Sequence, residues 1–264
     1  MTIIGEKLNS SIPNTLKIMN ENNESLLISL IKDQEKNGAD FLDVNTAICG
    51  EDELDKLQWI IKLIIENSAC GIMIDSTNPI VIKKALEFTK NRTVIINSVT
   101  LSERIDELLP IIKQTEAGIV ALPIDKDGIP KTIESRIDKA RLLIDKITAF
   151  GINQGSIYLD ILAETLSTDD NNALLCLNTI TAIKKLYPKV NTICGLSNIS
   201  FGLPKRININ IAFLSAAVIN GLDSVILDIT STPIKTAILS SLAVAGRDFY
   251  CLDYIRYTRE IDNS

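Results

Sequence analysis

GIMIDSTNPIVIKKAL, residues 71–86, carries one whole unit of the fold. GIMID is a short apolar run ending in a carboxylate. Asn78 and Pro79 follow, a capping side chain before a proline, which is how many helices begin. The same order recurs along the chain. TIIGE (2–6), FLDVN (41–45), TVIINS (93–98), GIVALPI (118–124), SIYLDI (156–161), NTICGLS (191–197) and SVILDI (224–229) also read as strands. Between nearly all of them lie segments with apolar residues three and four apart. Ile105, Leu108, Leu109 and Ile112 form one stripe; Ile133, Ile137, Ala140, Ile144 and Ile147 form another. Thr232-Pro233 repeats the start signal, and Thr100 with Glu103 fits a capping box.

Alternating strands and helices imply parallel strands, because each crossover returns the chain to the same edge. Eight such units in 264 residues is the size of a (β/α)8 TIM barrel, and continuous apolar strands suit a sheet covered on both faces. A doubly wound open sheet is the alternative, weakened because no GxGxxG follows the first strand. No linker or composition shift divides the chain, so residues 1–264 are expected to form one domain.

Composition narrows the function. Hydrophobic residues make up 46% of the chain, enough for a full core, and the formal net charge is −6. That charge, without any basic run, argues against a nucleic-acid partner. No apolar stretch approaches the roughly 20 residues needed to span a bilayer, and no basic leader precedes an apolar run, so a cytoplasmic protein is expected. Five cysteines without a CxxC pair suggest reduced, buried thiols, with Cys49 and Cys194 placed near strand ends. The chain has no histidine, which removes the commonest general base and most metal ligation; no metal site is expected.

In a barrel the site is built at the C-terminal ends of the strands. Those ends carry Glu6 with Asn9, Asp43 with Asn45, Asp75, Asn97, Asp125, Asp160, Ser197 with Asn198, and Asp228. Singly, each is an ordinary turn residue or cap; Asp43, Asp125 and Asp228 are as consistent with that duty as with ligand contact. Asp75, Asn97, Asp160 and Asn198 stand apart because each ends an apolar run aimed at a common mouth. ICGLSNISFGLPKR, residues 193–206, likewise starts as a buried strand and then turns polar. Convergent acids and amides suit a neutral ligand held by hydrogen bonds. A carboxylate accepts two parallel bonds from adjacent N–H groups, as a 2-amino-4-oxo-pyrimidine edge offers. A pterin fits this chemistry; purines and other amides fit it as well.

The order GEKLN (5–9), FLDVN (41–45), IDSTN (74–78), INSVT (96–100), YLDI (158–161) and GLSNISFGLPKR (195–206) resembles the pterin-binding methyltransferases that move a methyl group between tetrahydrofolate and a corrinoid protein. The resemblance runs over essentially the whole chain, to the methyltetrahydrofolate:corrinoid/iron-sulfur protein methyltransferases and to the folate domain of cobalamin-dependent methionine synthase. The segment ISFGLP is closer to the latter. This resemblance implies a pterin-type TIM barrel, usually homodimeric, with methyltetrahydrofolate or tetrahydrofolate as substrate. By matching motif positions, it implies that Asp75, Asn97 and Asp160 bind the pterin ring and that Asn198 faces the methylated nitrogen. Gly195 and Ser197 then shape the pocket, Arg206 lies near it, and Glu6 and Asn9 belong to the opening motif; Asn198 and Asp160 are the candidate catalytic residues. No DxHxxG-type cobalamin signature occurs, so the corrinoid is expected on a separate protein. Two other readings stay open: a dihydropteroate synthase-like enzyme, whose Ser-Arg-Lys motif is replaced here by GLSN, and a non-catalytic folate or corrinoid carrier.

Overall fold

The computed structural model describes residues 1–262 apart from Asn91 and Glu103; the Thr100–Glu103 capping box therefore lies outside the described residues. Eight parallel strands close into a barrel in sequence order: β1 (Thr2–Asn9), β2 (Phe41–Asn45), β3 (Gly71–Asp75), β4 (Val94–Val99), β5 (Gly118–Ala121), β6 (Ile157–Asp160), β7 (Asn191–Gly195) and β8 (Ser224–Leu227), with β8 pairing back onto β1. Closure excludes the open doubly wound sheet. Two of the eight expected strands match residue for residue, β2 and β3, and the rest agree in position.

Among the described residues, α1 (Pro13–Asn20) and α2 (Glu24–Lys36) follow β1. α3 (Glu53–Asn67), α4 (Pro79–Leu86), α5 (Ile105–Thr115), α6 (Ile133–Ala149), α7 (Asn172–Leu186) and α8 (Arg206–Ile219) connect the remaining strands, and α9 (Thr232–Val244) and α10 (Leu252–Asp262) close the chain. Asn78 caps α4 as the sequence indicates, its Oδ1 accepting from Ile80 N at 3.0 Å. At α9 the cap position is Ser231, without a side-chain cap bond, and Thr232 is already helical. Pro233 is tolerated one position later because the N–H groups of the first turn lack helical acceptors in any case.

The stripe on α5 faces the barrel, with Ile105, Leu108, Leu109 and Ile112 all buried. Each such side chain contributes about 1.5–3 kcal/mol relative to exposure. On α6 the stripe contains a cation: Arg136 is fully buried beside Ala140, Leu143, Ile144 and Ile147. Cys70, Cys176 and Cys194 are buried thiols as expected, whereas Cys49 is half-buried and Cys251 exposed.

One irregularity shapes the mouth. The β1–β2 register shifts between Gly5 and Leu8. There Lys7 N donates to Oε1 of the buried Gln34 at 2.9 Å, and Lys7 O accepts from Thr15 Oγ1 at 2.9 Å. Side chains of α2 and α1 thus replace ladder partners. Gly5 is required by this packing, because a Cβ there would sit 2.4 Å from Gln34 Oε1.

Candidate active site

The barrel interior is lined by one layer drawn from every strand: Ile4, Phe41, Met73, Ile95, Val120, Tyr158, Ile193 and Ile226. Strand side chains alternate faces, so the residue two positions on points the same way. Those positions are Glu6, Asp43, Asp75, Asn97, Leu122, Asp160, Gly195 and Asp228. One step up the barrel, an oily plug therefore gives way to acids and an amide. Leu122 is the exception, and Gly195 leaves room.

On the β2–β4 side, Asn45 Nδ2 donates to Asp75 Oδ2 at 2.8 Å. Asn45 is itself fixed, its Oδ1 accepting from Ser10 Oγ at 3.2 Å and Ala47 N at 3.1 Å. Burial pushes the Asp75 carboxyl above its usual value; the Asn45 bond opposes this and the Glu53 charge adds to it. Glu53 is held in place by Ser76, whose Oγ donates to Oε1 at 2.6 Å. Asp43 is the deepest of the ring, only 3% exposed, and its Oδ1 has no hydrogen-bond partner. Burial, then the charges of Asp75 and Glu6, hold it well above the usual carboxylate range, against a hydrogen bond from Asn97.

Asp160 closes the opposite wall. Its Oδ1 accepts from Leu162 N at 2.7 Å, yet burial pushes its carboxyl up to about 6, with Leu162 and the Arg136 charge opposing. Leu162 holds a left-handed backbone, φ 57°, that turns this loop sharply back over the acid. Arg136 ties the loop down from below: it donates to Ile161 O at 2.7 Å and Pro130 O at 3.1 Å, and pairs with Glu164 at 3.4 Å. Asp75, Asn97 and Asp160 thus share one cup, and no cation makes a direct hydrogen bond or ion pair with any of the three among the described residues.

The β7–β8–β1 side is built differently. Asn198 stands exposed on a 3-10 turn (Leu196–Ser200) directly after β7. A Cβ on Gly195 would come within 3.3 Å of Asn198 Nδ2, so the glycine lets the amide lie back across the strand end. Arg206 braces this turn: its Nη2 donates to Ser197 O at 2.6 Å, its Nε to Ser200 Oγ at 3.1 Å, and its guanidinium lies over Phe201. Ser197 offers its hydroxyl to Glu6. Burial and then Asp228 raise the Glu6 carboxyl, while Lys7, Arg206 and Ser197 lower it. Asp228 is paired with Lys7 at 2.7 Å and also accepts from Thr230 N and Oγ1.

Two candidates have local partners. Asn9 Oδ1 accepts from Ser11 N at 2.8 Å and Ser11 Oγ at 2.6 Å, shaping the turn into α1. Asp125 pairs with Lys139 and accepts from Asp127 N at 2.9 Å, so it is a turn residue. Sequence reading passed over Lys7, Gln34, Glu53 and Arg136. Arg136 alone left a trace, a charge at a position where the α6 stripe would allow an apolar residue.

A family profile described as "Pterin binding enzyme" matches residues 9–228. The chain is 31% identical over 263 residues, 98% of its length and 97% of the relative's, to a methylcorrinoid:tetrahydrofolate methyltransferase of Eubacterium limosum. It is also 31% identical over 238 residues to methionine synthase of Mycobacterium tuberculosis, covering 85% of this chain and 20% of that protein. Among solved structures, a dihydropteroate synthase of Coxiella burnetii in complex with pteroic acid superposes with TM-score 0.72 at 18% identity, over 92% of this chain and 93% of that one. The Yersinia pestis dihydropteroate synthase does so with TM-score 0.67 at 15% identity, over 93% of each chain. At those identities the structural likeness concerns the fold. The profile match and the full-length relative together place this chain in the family of pterin binding enzymes.

Proposed function

We propose that this chain is a methyltransferase that moves a methyl group between tetrahydrofolate and the cobalt of a corrinoid carried by a separate protein. The observation that carries this reading is the position of Asn198: a neutral amide laid across Gly195 at the rim of a cup whose acids lack a cation to pair with. The full-length similarity to the Eubacterium limosum methyltransferase supports it.

Asp75, Asn97 and Asp160 hold the polar edge of the pterin ring. The unpartnered Oδ1 of Asp43 and the buried acids around it suit a ring edge rich in N–H donors, because buried acceptors without partners are unfavourable until one arrives. Gly195 and Ser197 shape the pocket, Arg206 fixes their turn, Glu6 lines the wall, and Asn9 shapes the entry to α1. Asn198 faces the ring nitrogen that carries the methyl group. Displacing a methyl group from that tertiary amine builds negative charge on nitrogen. A hydrogen bond from Asn198 that tightens as the charge grows stabilises the transition state more than the bound substrate. The corrinoid on its partner protein supplies the reactive metal centre, so the barrel needs no strong base of its own, in keeping with a chain without histidine.

The relative's name gives methylcorrinoid as donor and tetrahydrofolate as acceptor, and we assign this chain the same direction. The same groups serve the reverse direction. No helix of the described residues is long and apolar enough to cross a membrane. A homodimer acting in the cytoplasm, each chain a single domain, completes the reading; sedimentation of the purified protein checks the dimer.

The test is to mix purified protein, tetrahydrofolate and a methylated corrinoid protein and to follow the cobalt absorbance as the methyl group leaves. Methyltetrahydrofolate should appear in equal amount. Folate binding with no methyl transfer to or from any corrinoid would instead mark a carrier. Condensation of aminobenzoate with a pterin diphosphate would mark a dihydropteroate synthase.

A further inference from the structure

A cavity of about 220 Å³ adjoins the mouth on the β1–β7–β8 side, lined among others by Glu6, Ser197, Asn210, Asp228 and Ser231. Its course follows from which way its walls face. Glu6 and Asp228 point into the barrel, whereas Leu227, one residue before Asp228, points outward into the layer between sheet and helices. Asn210 lies one turn into α8, and Ile234 in the first turn of α9. The cavity therefore passes over the end of β8, from the barrel interior to the gap between the first turns of α8 and α9. The pterin-edge residues Asp75, Asn97 and Asp160 are not part of its wall.

Its lining is suited to water. Glu6, Asp228, Ser197, Ser231 and Asn210 alternate with apolar residues, and Asn210 Oδ1 is buried without a donor from the protein. A buried amide oxygen of this kind is normally satisfied by solvent, and the volume holds several waters at about 30 Å³ each.

We propose that Glu6 exchanges the reaction's proton with solvent through this cavity. The inference rests on the methyltransferase reading. Toward tetrahydrofolate, a new N–CH3 bond forms at the ring nitrogen as the cobalt–carbon bond breaks. The electron pair of that bond stays with cobalt, and the nitrogen loses its N–H proton. Asn198, an amide, cannot keep the proton. Ser197, which precedes Asn198, hydrogen-bonds Glu6, and both line this cavity, so Glu6 is the carboxylate joined to the Asn198 turn. The proton passes to Glu6 and from there to water over β8. A corrinoid protein must cover the mouth during transfer, and this passage leaves the barrel beside it. In the reverse direction Glu6 delivers the proton. The groups facing Glu6 suit a carboxyl that both gains and loses it: Asp228, just past β8, favours the protonated form, Lys7 of β1 and Arg206 of α8 the ionised one, and the Glu6 charge in turn raises Asp43 of β2.

Two variants test this. Glu6→Gln keeps shape and removes the proton acceptor; single-turnover methyl transfer should fall about 100-fold while folate affinity stays within about twofold. The infrared band of a protonated carboxyl that titrates in the wild-type protein should be missing in Glu6→Gln. Ser231→Leu fills the passage from its wall, and costs no cap bond because the Ser231 side chain makes none. It should slow transfer from a corrinoid protein about tenfold and leave transfer from free methylcobalamin, which does not seal the mouth, unchanged. Equal rates for wild type and Ser231→Leu with both donors, or an unimpaired Glu6→Gln, would overturn the proposal. So would weakened folate binding in Ser231→Leu, which would mean that the cavity holds part of the substrate. A wild-type protein inactive with both donors would instead remove the methyltransferase reading itself.

Discussion

The two sides of the barrel mouth surround their buried acids with different neighbours. On the β2–β3–β4–β6 side, Asp43, Asp75 and Asp160 are all pushed above their usual values, burial being the first cause for each. Their hydrogen bonds come from neutral groups: Asn97, Asn45 and the Leu162 N–H. On the β7–β8–β1 side burial also raises Glu6, but protein cations oppose it there: Lys7 pairs with Asp228, and Lys7 and Arg206 both lower the Glu6 carboxyl. An uncompensated acid is destabilising until a donor-rich ligand arrives, whereas a compensated one can change protonation without disturbing the fold. Under the proposed function, the first side recognises the ligand and the second manages charge during the reaction.

The sharpest way to break this division is to cut one residue on each side and ask which constant moves. Asn198→Ala, on the reaction side, should lower the methyl-transfer rate on the order of 10²–10³-fold, the usual effect of losing one donor to a developing charge. Folate affinity, measured by titration, should hardly change. Asp75→Ala, on the recognition side, should do the reverse. Losing a charged acceptor costs about 1.5–3 kcal/mol, which weakens folate binding about 10- to 100-fold, while the rate at saturating folate stays near that of wild type. If both variants damage the same constant, the two sides are not separate devices.

The barrel was legible because its signal is repeated: a missed boundary in one unit does not disturb the count of eight, and β2 and β3 end at the expected residues. The cup was legible for a related reason, since the layer of apolar lining residues and the polar residue two positions later follow from strand alternation alone. What the sequence concealed were partners brought together by closure. Lys7 meets Asp228 only because β8 returns to β1, 221 residues later in the chain by numbering. Gln34 replaces a ladder partner for Lys7 from the next helix, which no local pattern announces. Arg136 left only a charge on the α6 stripe; its partners Pro130 O, Ile161 O and Glu164 lie in loops that no helix pattern places. Asn9 went the other way: its motif position suggested the site, and its oxygen is engaged by Ser11 two residues on, a local bond typical of Asn at turns.

The smallest expected effect is also the most direct probe of what recognition costs the free protein. Asp160 titrates near 3.8 when unfolded and about 6 in the fold. A carboxyl raised in this way favours the native state fully below its unfolded value. That contribution disappears as pH rises through about 6, because the native site must then hold a buried charge. Asp160→Asn removes the charge and keeps the shape. At pH 7 it should therefore be more stable than wild type, by about 1–2 kcal/mol after allowing for the open mouth. Near pH 3.5, where the native carboxyl is neutral and most of the unfolded one is too, the gain should nearly vanish. Denaturant midpoints at the two pH values measure the difference. The same charge is what the pterin edge needs, so wild-type folate affinity should rise as pH increases through about 6, and in Asp160→Asn that dependence should be lost. A variant no more stable at pH 7 than at pH 3.5, relative to wild type, would show that solvent or the loop held by Arg136 already relieves the acid. The recognition side would then be less strained than its burial indicates.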